Sequence, residues 1–248
     1  MRSDLTSMEA LSRHLDERAP TGDGRAALRR RPTVTTAPSP GASSDGARLD
    51  DALLDGARRA RRPRGLGDTL EARRSSLHYS TRPTPTLPVL ALAQDALRRD
   101  QHAWPTAGGV PLEALVLSFR SSDLPPGAWL VRPDEVTRVR GTEDLPDLDE
   151  LGVQREFSTG AGMVVVCADL DAADSWAGPH GYRVTTVRAS MVTYDVHLGC
   201  QADGLVGTVF GGLVPASLRG PLDVDGVCRA PLLATTWAHD PAQDEPTD

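Results

Sequence analysis

The chain has 248 residues, 39% of them hydrophobic, with a formal charge of −7 at neutral pH. That length suits one large domain or two small ones. No run approaches the roughly 20 apolar residues of a membrane-spanning helix, and the N-terminus MRSDLTSMEA lacks the apolar stretch of a secretion signal, so membrane insertion is not expected and the cytoplasm is the expected compartment.

There is no lysine; every cationic side chain is Arg. Schiff-base and P-loop lysine chemistry are therefore excluded, whereas planar bidentate recognition of phosphate is not. Residues 1–75 hold 15 Arg against 11 acids, and residues 76–248 hold 12 against 23. An acidic main body argues against nucleic acid as a partner. Cys167, Cys200 and Cys228 are odd in number and widely spaced, without a CxxC or His pairing. They suggest neither a disulfide framework nor a zinc site, and are expected as core thiols.

In chain order, a short helix is expected around residues 8–17, followed by a Pro/Ser/Thr/Gly-rich linker over residues 31–46 that buries too little apolar surface to order itself. Leu49, Leu53 and Leu54 line a further short helix. The arginine run of residues 58–64 reads either as solvated charge or as a site for an acidic peptide or partner surface. Residues 87–99 have helical periodicity, with Leu87, Leu90, Ala91, Ala93, Gln94 and Leu97 on one face. Short apolar runs at residues 114–119, 128–131, 163–168, 206–210 and 232–236, punctuated by Gly, Pro and Asp, read as strands. Between the third and fourth of these runs lies a long helix whose apolar positions Val184, Val187, Met191, Val192 and Leu198 recur at three- and four-residue steps and stop at Asp203-Gly204, a C-cap glycine. The sum is an α+β chain divided into an extension (1–64), a main domain (65–239) and an acidic, disordered tail (240–248).

Three blocks carry candidate chemistry. Arg73-Arg74-Ser75 offers two guanidinium forks and a hydroxyl, suited to phosphate or to a plain helix end. Pro105-Thr106-Ala107-Gly108 is a glycine loop leading into a strand, either an ordinary turn or a backbone surface for a planar ligand. Gly211-Gly212, after the strand that follows the long helix, has the same two readings.

In order and spacing these blocks resemble those of the nitroreductase-like flavoproteins, most closely the SagB-type azoline dehydrogenases of ribosomal peptide natural-product biosynthesis. The long-helix segment beginning Gly181-Tyr182-Arg183 and ending in Gly211-Gly212 is similar to the family's. So are the Arg-Arg-Ser signature with Tyr79 after it, the Pro-x-Ala-Gly loop, and the hairpin LPPGAWL from Leu124 to Leu130. The resemblance implies a nitroreductase-like fold, with a mixed or antiparallel sheet flanked by helices, a dimer, and FMN at the subunit interface. It implies phosphate contacts from Arg73, Arg74 and Ser75, and ring contacts from Pro105, Thr106, Ala107, Gly108, Gly211 and Gly212. The activity it implies is oxidation of thiazoline or oxazoline rings to azoles in a peptide such as a thiopeptide. The partners it implies are a leader-bearing peptide substrate and a cyclodehydratase or second dehydrogenase subunit.

The chain also departs from that pattern. Trp176 and Ala177 stand where these enzymes carry a Lys-Tyr pair for proton abstraction, which turns attention to Tyr182 and His180 as bases, with Asp195 and His197 behind them. Leu77 stands where the phosphate signature continues to a further Arg. Arg188 and Tyr194 occupy helix positions that usually differ, and are candidate replacement cofactor contacts. The alternative is a catalytically degenerate partner or scaffold subunit of a peptide-modifying complex.

Overall fold

The computed structural model describes residues 46–105, 110–141, 145 and 148–244. The expected helix at residues 8–17, most of the linker, the loop residues Thr106, Ala107 and Gly108, and the last four residues lie outside them. Chain order runs α1 (Asp51–Ala60), α2 (Leu66–Ala72), α3 (Leu87–Ala103), β1 (Leu112–Ser118), β2 (Gly127–Val131), β3 (Val136–Arg140), β4 (Gly162–Ala168), α4 (Leu170–Ala177), α5 (Gly181–Ala202), β5 (Val209–Phe210), α6 (Pro215–Leu222) and β6 (Ala230–Trp237). The six strands form one sheet in the order β3-β2-β1-β4-β6-β5, antiparallel at every pairing.

Central strands β1 and β4 read as unbroken apolar runs because both faces of the sheet are covered. Successive side chains point to opposite faces, so Ala114, Val116, Val164 and Val166 join one core with α3 and α5. Leu115, Leu117, Met163 and Val165 join a second with Phe157, Phe210 and α6. Strand β3, VTRVR, escapes sequence reading because it lies at the sheet's edge, where charged and polar residues are favoured.

Helix α1 begins at an Asp50 cap that accepts the Ala52 N–H at 2.9 Å and belongs to this packed body. Leu54 is fully buried, and the Arg58 guanidinium bonds Asp95 and Gln94 on α3. Residues 51–60 thus pack against α3. At the other end, Asp244 accepts from Ser80 Oγ at 2.7 Å, so the chain remains engaged beyond residue 239. Cys167 and Cys200 are buried as expected, whereas Cys228 is exposed.

Helices α3 and α5 lie antiparallel: Leu92 meets Gly199, Arg99 pairs with Asp195, and Asp100 pairs with Arg188. The C-terminus of α5 falls where its sequence places it, closed by Gly204 at φ 81°, a conformation that costs other residues a Cβ clash. Its buried side, however, carries Thr185, Arg188, Thr193, His197 and Gln201. Of the apolar positions that announce the helix, Val192 is buried, Val184 and Leu198 are half-buried, and Val187 and Met191 are exposed, with Tyr194 beside them. Val184, Val187, Met191, Tyr194 and Leu198 form an outward stripe at heptad-like spacing, a pattern that suits a second helix better than water.

Candidate functional site

At the C-terminal end of α5, the segment following α2 is stitched to the strand that leads into β5. Ser75 bridges to Gly207 in parallel fashion, and Ser76 N–H donates to Gly207 O at 3.0 Å. Gln201 Nε2 donates to the Arg74 carbonyl at 3.2 Å. Tyr79, the aromatic of the signature, donates its hydroxyl to Ser76 O at 2.5 Å and lies 2.9 Å from Thr236 Oγ1, which in turn accepts the Thr208 N–H. Extended backbone turns neighbouring side chains apart. Arg73 is half-buried, and its charge acts on His197; Arg74 is exposed and lines a pocket of about 190 Å³ with Arg64, Ser75, Ser76 and Gln201.

His197 is buried with Nδ1 3.0 Å from Thr235 Oγ1. The Thr235 hydroxyl donates onward to Thr236 O, so the network assigns the imidazole proton to Nδ1. Burial, and then the neighbouring Arg73 charge, lower its pKa to about 4. A neutral imidazole this reluctant to protonate is a packing and hydrogen-bonding group rather than a general base.

From Gly207 the chain runs four residues along the sheet edge to Gly211, about 13 Å at strand rise. Gly211 is exposed. Gly212 is half-buried, its carbonyl accepting Val153 N–H at 2.8 Å, and a Cβ there would press on the Val153 side chain. The covering turn, Arg155–Thr159, is held by Phe157 stacked on Phe210 at 4.1 Å. The structure therefore brings Arg73, Arg74, Ser75, Gly211 and Gly212 onto one edge.

The remaining candidates gather at the opposite end of α5. Arg188 is buried and bonds Asp100 in a bidentate pair, Nε–Oδ1 3.1 Å and Nη2–Oδ2 2.7 Å, while Nη1 donates to the Val110 carbonyl at 3.0 Å. Its fork is thus engaged within the chain, where it fixes the exit of the glycine loop. With Trp104, Pro105, Pro111 and Pro133, this pair borders a cavity of about 290 Å³. Pro105, His180 and Tyr182 are exposed. Thirteen helical residues separate Arg188 from Gln201, about 20 Å, so one chain does not bring these groups to the Arg74 pocket. Tyr194 lies between the two ends, exposed, its ring centroid 6.0 Å from that of His197.

Sequence reading passed over two members of the C-terminal cluster. Gln201 follows His197 by four residues and so shares its helix face. Arg64 ends the basic run, and of the others in that run all but the exposed Arg59 have partners: Arg58 with Asp55 and Asp95, Arg61 with Asp203 at 2.6 Å, and Arg62 with backbone carbonyls. Among the described residues there is no cluster of potential metal ligands, and no helix is long and apolar enough to cross a membrane.

The architecture is the nitroreductase fold, an α+β antiparallel sheet flanked by helices. One similar structure is a protein of Anabaena variabilis described as a nitroreductase, at TM-score 0.58 and 18% identity over 69% of this chain and 37% of that one. This chain thus spans little more than a third of that protein's length. A Ralstonia eutropha protein described as a nitroreductase matches at TM-score 0.51 and 19% identity, over 72% of this chain and 84% of that one. A chain of the E. coli microcin synthetase McbBCD complex, solved with truncated pro-MccB17 bound, matches at 0.52 and 14%, over 71% of this chain and 73% of that one. No family model and no curated protein matches the sequence.

Proposed function

We propose that this chain is an FMN-dependent dehydrogenase that oxidises azoline rings to azoles in a ribosomally made peptide, acting as a dimer through α5. The observation that carries the reading is the stitching of Arg73-Arg74-Ser75 to the strand that ends in Gly211-Gly212, on a fold shared with nitroreductases. The residues fit the cofactor's phosphate end: the Arg74 guanidinium and the Ser75 hydroxyl have no partner among the described residues, and exposed Gly211 leaves backbone open on the same edge.

When bound, FMN would supply a hydride acceptor for ring aromatisation, with oxygen as the oxidant that regenerates it. Arginine and serine anchor the phosphate by charge-assisted hydrogen bonds. The ring proton goes to Tyr182 or His180. These lie at the far end of α5, so the partner subunit supplies them. A two-fold axis at Met191, the centre of the outward stripe, sets Val184 against Leu198 and Val187 against Tyr194 of the other copy. The same operation carries Tyr182, His180 and Pro105 toward the Arg74 end. The peptide's leader, and a cyclodehydratase or second dehydrogenase subunit, are the expected partners; the fold likeness to the microcin synthetase chain supports them.

A second reading, a catalytically degenerate partner subunit, is favoured by the engagement of Arg188 with Asp100 and Val110, which removes a candidate cofactor contact, and by the cover of Val153 over Gly212. A visible absorption spectrum with heat release of the chromophore separates the two. Stoichiometric FMN, with loss of two hydrogens per ring from an azoline peptide, supports the dehydrogenase. A colourless protein that refuses added FMN supports the partner subunit, and a heterodimer in place of the homodimer.

A further inference from the structure

The arginines of this acidic chain mostly find partners, which makes the Arg64–Arg74 corner unusual. Neither guanidinium has a hydrogen bond or ion pair among the described residues, and both line the same pocket of about 190 Å³, room for roughly six waters at about 30 Å³ each. Its walls add the unpartnered Ser75 hydroxyl and the Ser76 hydroxyl, which bonds the His78 carbonyl. One carboxylate, Asp240, stands at the rim. It accepts the Ala242 N–H at 3.0 Å and pairs with neither arginine, so the pocket keeps a positive balance.

Both cations are carried on fixed backbone. Arg64 N–H donates to the Ala202 carbonyl at 2.9 Å, tying it to the last turn of α5, and Gln201 holds the Arg74 carbonyl. Arg64 Nη2 lies 3.4 Å from where a Cβ on Gly204 would stand, so the glycine that closes the helix also makes room for this guanidinium. The Arg73 charge acts on His197 instead.

We propose that Arg64, Arg74 and Ser75, positioned by Gln201 and Gly204, form a phosphate-monoester site in which Arg64 is the second guanidinium fork. Two separated forks and a hydroxyl match three terminal phosphate oxygens better than the two oxygens of a carboxylate. The phosphate of FMN is the expected source, and in that respect the proposal rests on the flavin reading; a free or nucleotide-borne phosphate has the same chemistry.

The test titrates the full chain with inorganic phosphate by calorimetry, and with FMN and riboflavin by flavin fluorescence, in wild type, Arg64→Ala, Arg64→Gln, Arg74→Ala and the control Arg59→Ala, an exposed arginine on α1. Arg64→Ala, Arg64→Gln and Arg74→Ala each weaken phosphate binding by about tenfold or more and leave riboflavin unchanged, and Arg59→Ala matches wild type. Phosphate that competes with FMN identifies the flavin as the source. Phosphate binding that persists at FMN saturation, or without any FMN affinity, and still depends on Arg64, keeps the site and assigns it another phosphate. Normal FMN binding with an unchanged Arg64→Ala refutes the proposal and leaves the flavin reading standing. Phosphate affinity equal in all variants refutes it as well.

Discussion

Replacing Asp100 by Ala leaves the Arg188 guanidinium buried with one carbonyl partner in place of a bidentate carboxylate. The side chains are 2% and 5% exposed, and breaking a buried pair from one side costs about 3–5 kcal/mol. For a domain of this size each kcal/mol lowers Tm by about 2–4 °C, which gives a drop of roughly 6–20 °C by differential scanning calorimetry. Removing both partners, as Asp100→Leu with Arg188→Met, recovers most of that loss, because apolar replacements of similar volume often match such pairs. The lost Val110 carbonyl contact leaves a residual cost of about 1–3 kcal/mol. If Arg188 serves as scaffold for the loop exit, the double variant keeps the flavin affinity of wild type. A single Asp100→Ala variant with unchanged Tm refutes the packing argument, and a well-folded double variant that loses flavin shows that Arg188 touches the cofactor.

Met191→Glu places a charge at the centre of the outward stripe of α5. It raises the dimer dissociation constant by about a hundredfold or more, read by light scattering across a concentration series, with flavin lost in parallel; a dimer that survives intact removes the two-fold arrangement. Folded His197 takes a proton only near pH 4, whereas the unfolded imidazole takes one near 6.5. Its contribution to stability is therefore intact above about pH 6.5, declines as the pH falls through that window, and is about 3 kcal/mol smaller below pH 4. Urea melts at pH 7 and pH 4.5 show a larger loss for wild type than for His197→Gln; equal losses refute the assignment. Tyr182→Phe and His180→Gln, both exposed, leave Tm within about 1 °C, and the base is the residue whose loss lowers kcat about a hundredfold or more with KM unchanged. If neither does, another residue takes the proton.

What the sequence makes legible here follows from how each element is buried. Strands β1 and β4 announce themselves because both faces are covered, and α3 because one broad face packs on the sheet. Strand β3 does not, since its edge position lets Thr137, Arg138 and Arg140 remain. Helix α5 is readable in length and ends but misleading in orientation. Several of its periodic apolar residues, Val187 and Met191 among them, mark the outward side, while its inward side joins the core through Ala189, Val192, Val196 and Cys200 and through polar bonds, Arg188 to Asp100 and His197 to Thr235, that periodicity does not register.

The candidate site divides along the same helix, which explains why motif order was informative and motif proximity was not. Arg73, Arg74, Ser75, Gly211 and Gly212 are distant in sequence yet share an edge through the Ser75–Gly207 bridge. Pro105, just past the end of α3, and Tyr182, in the first turn of α5, stand at the far end of that helix pair, Tyr182 about 28 Å along α5 from Gln201. A linear sequence shows that all the blocks are present; only the helix length shows that one copy does not assemble them. In the proposed dimer, the outward apolar stripe centred on Met191 would bring the two ends together across a two-fold axis. The dimer and the flavin site are therefore one hypothesis: disrupting the helix contact at Met191 is expected to empty a phosphate anchor that Gln201, ten residues further along the same helix, holds in place through the Arg74 carbonyl.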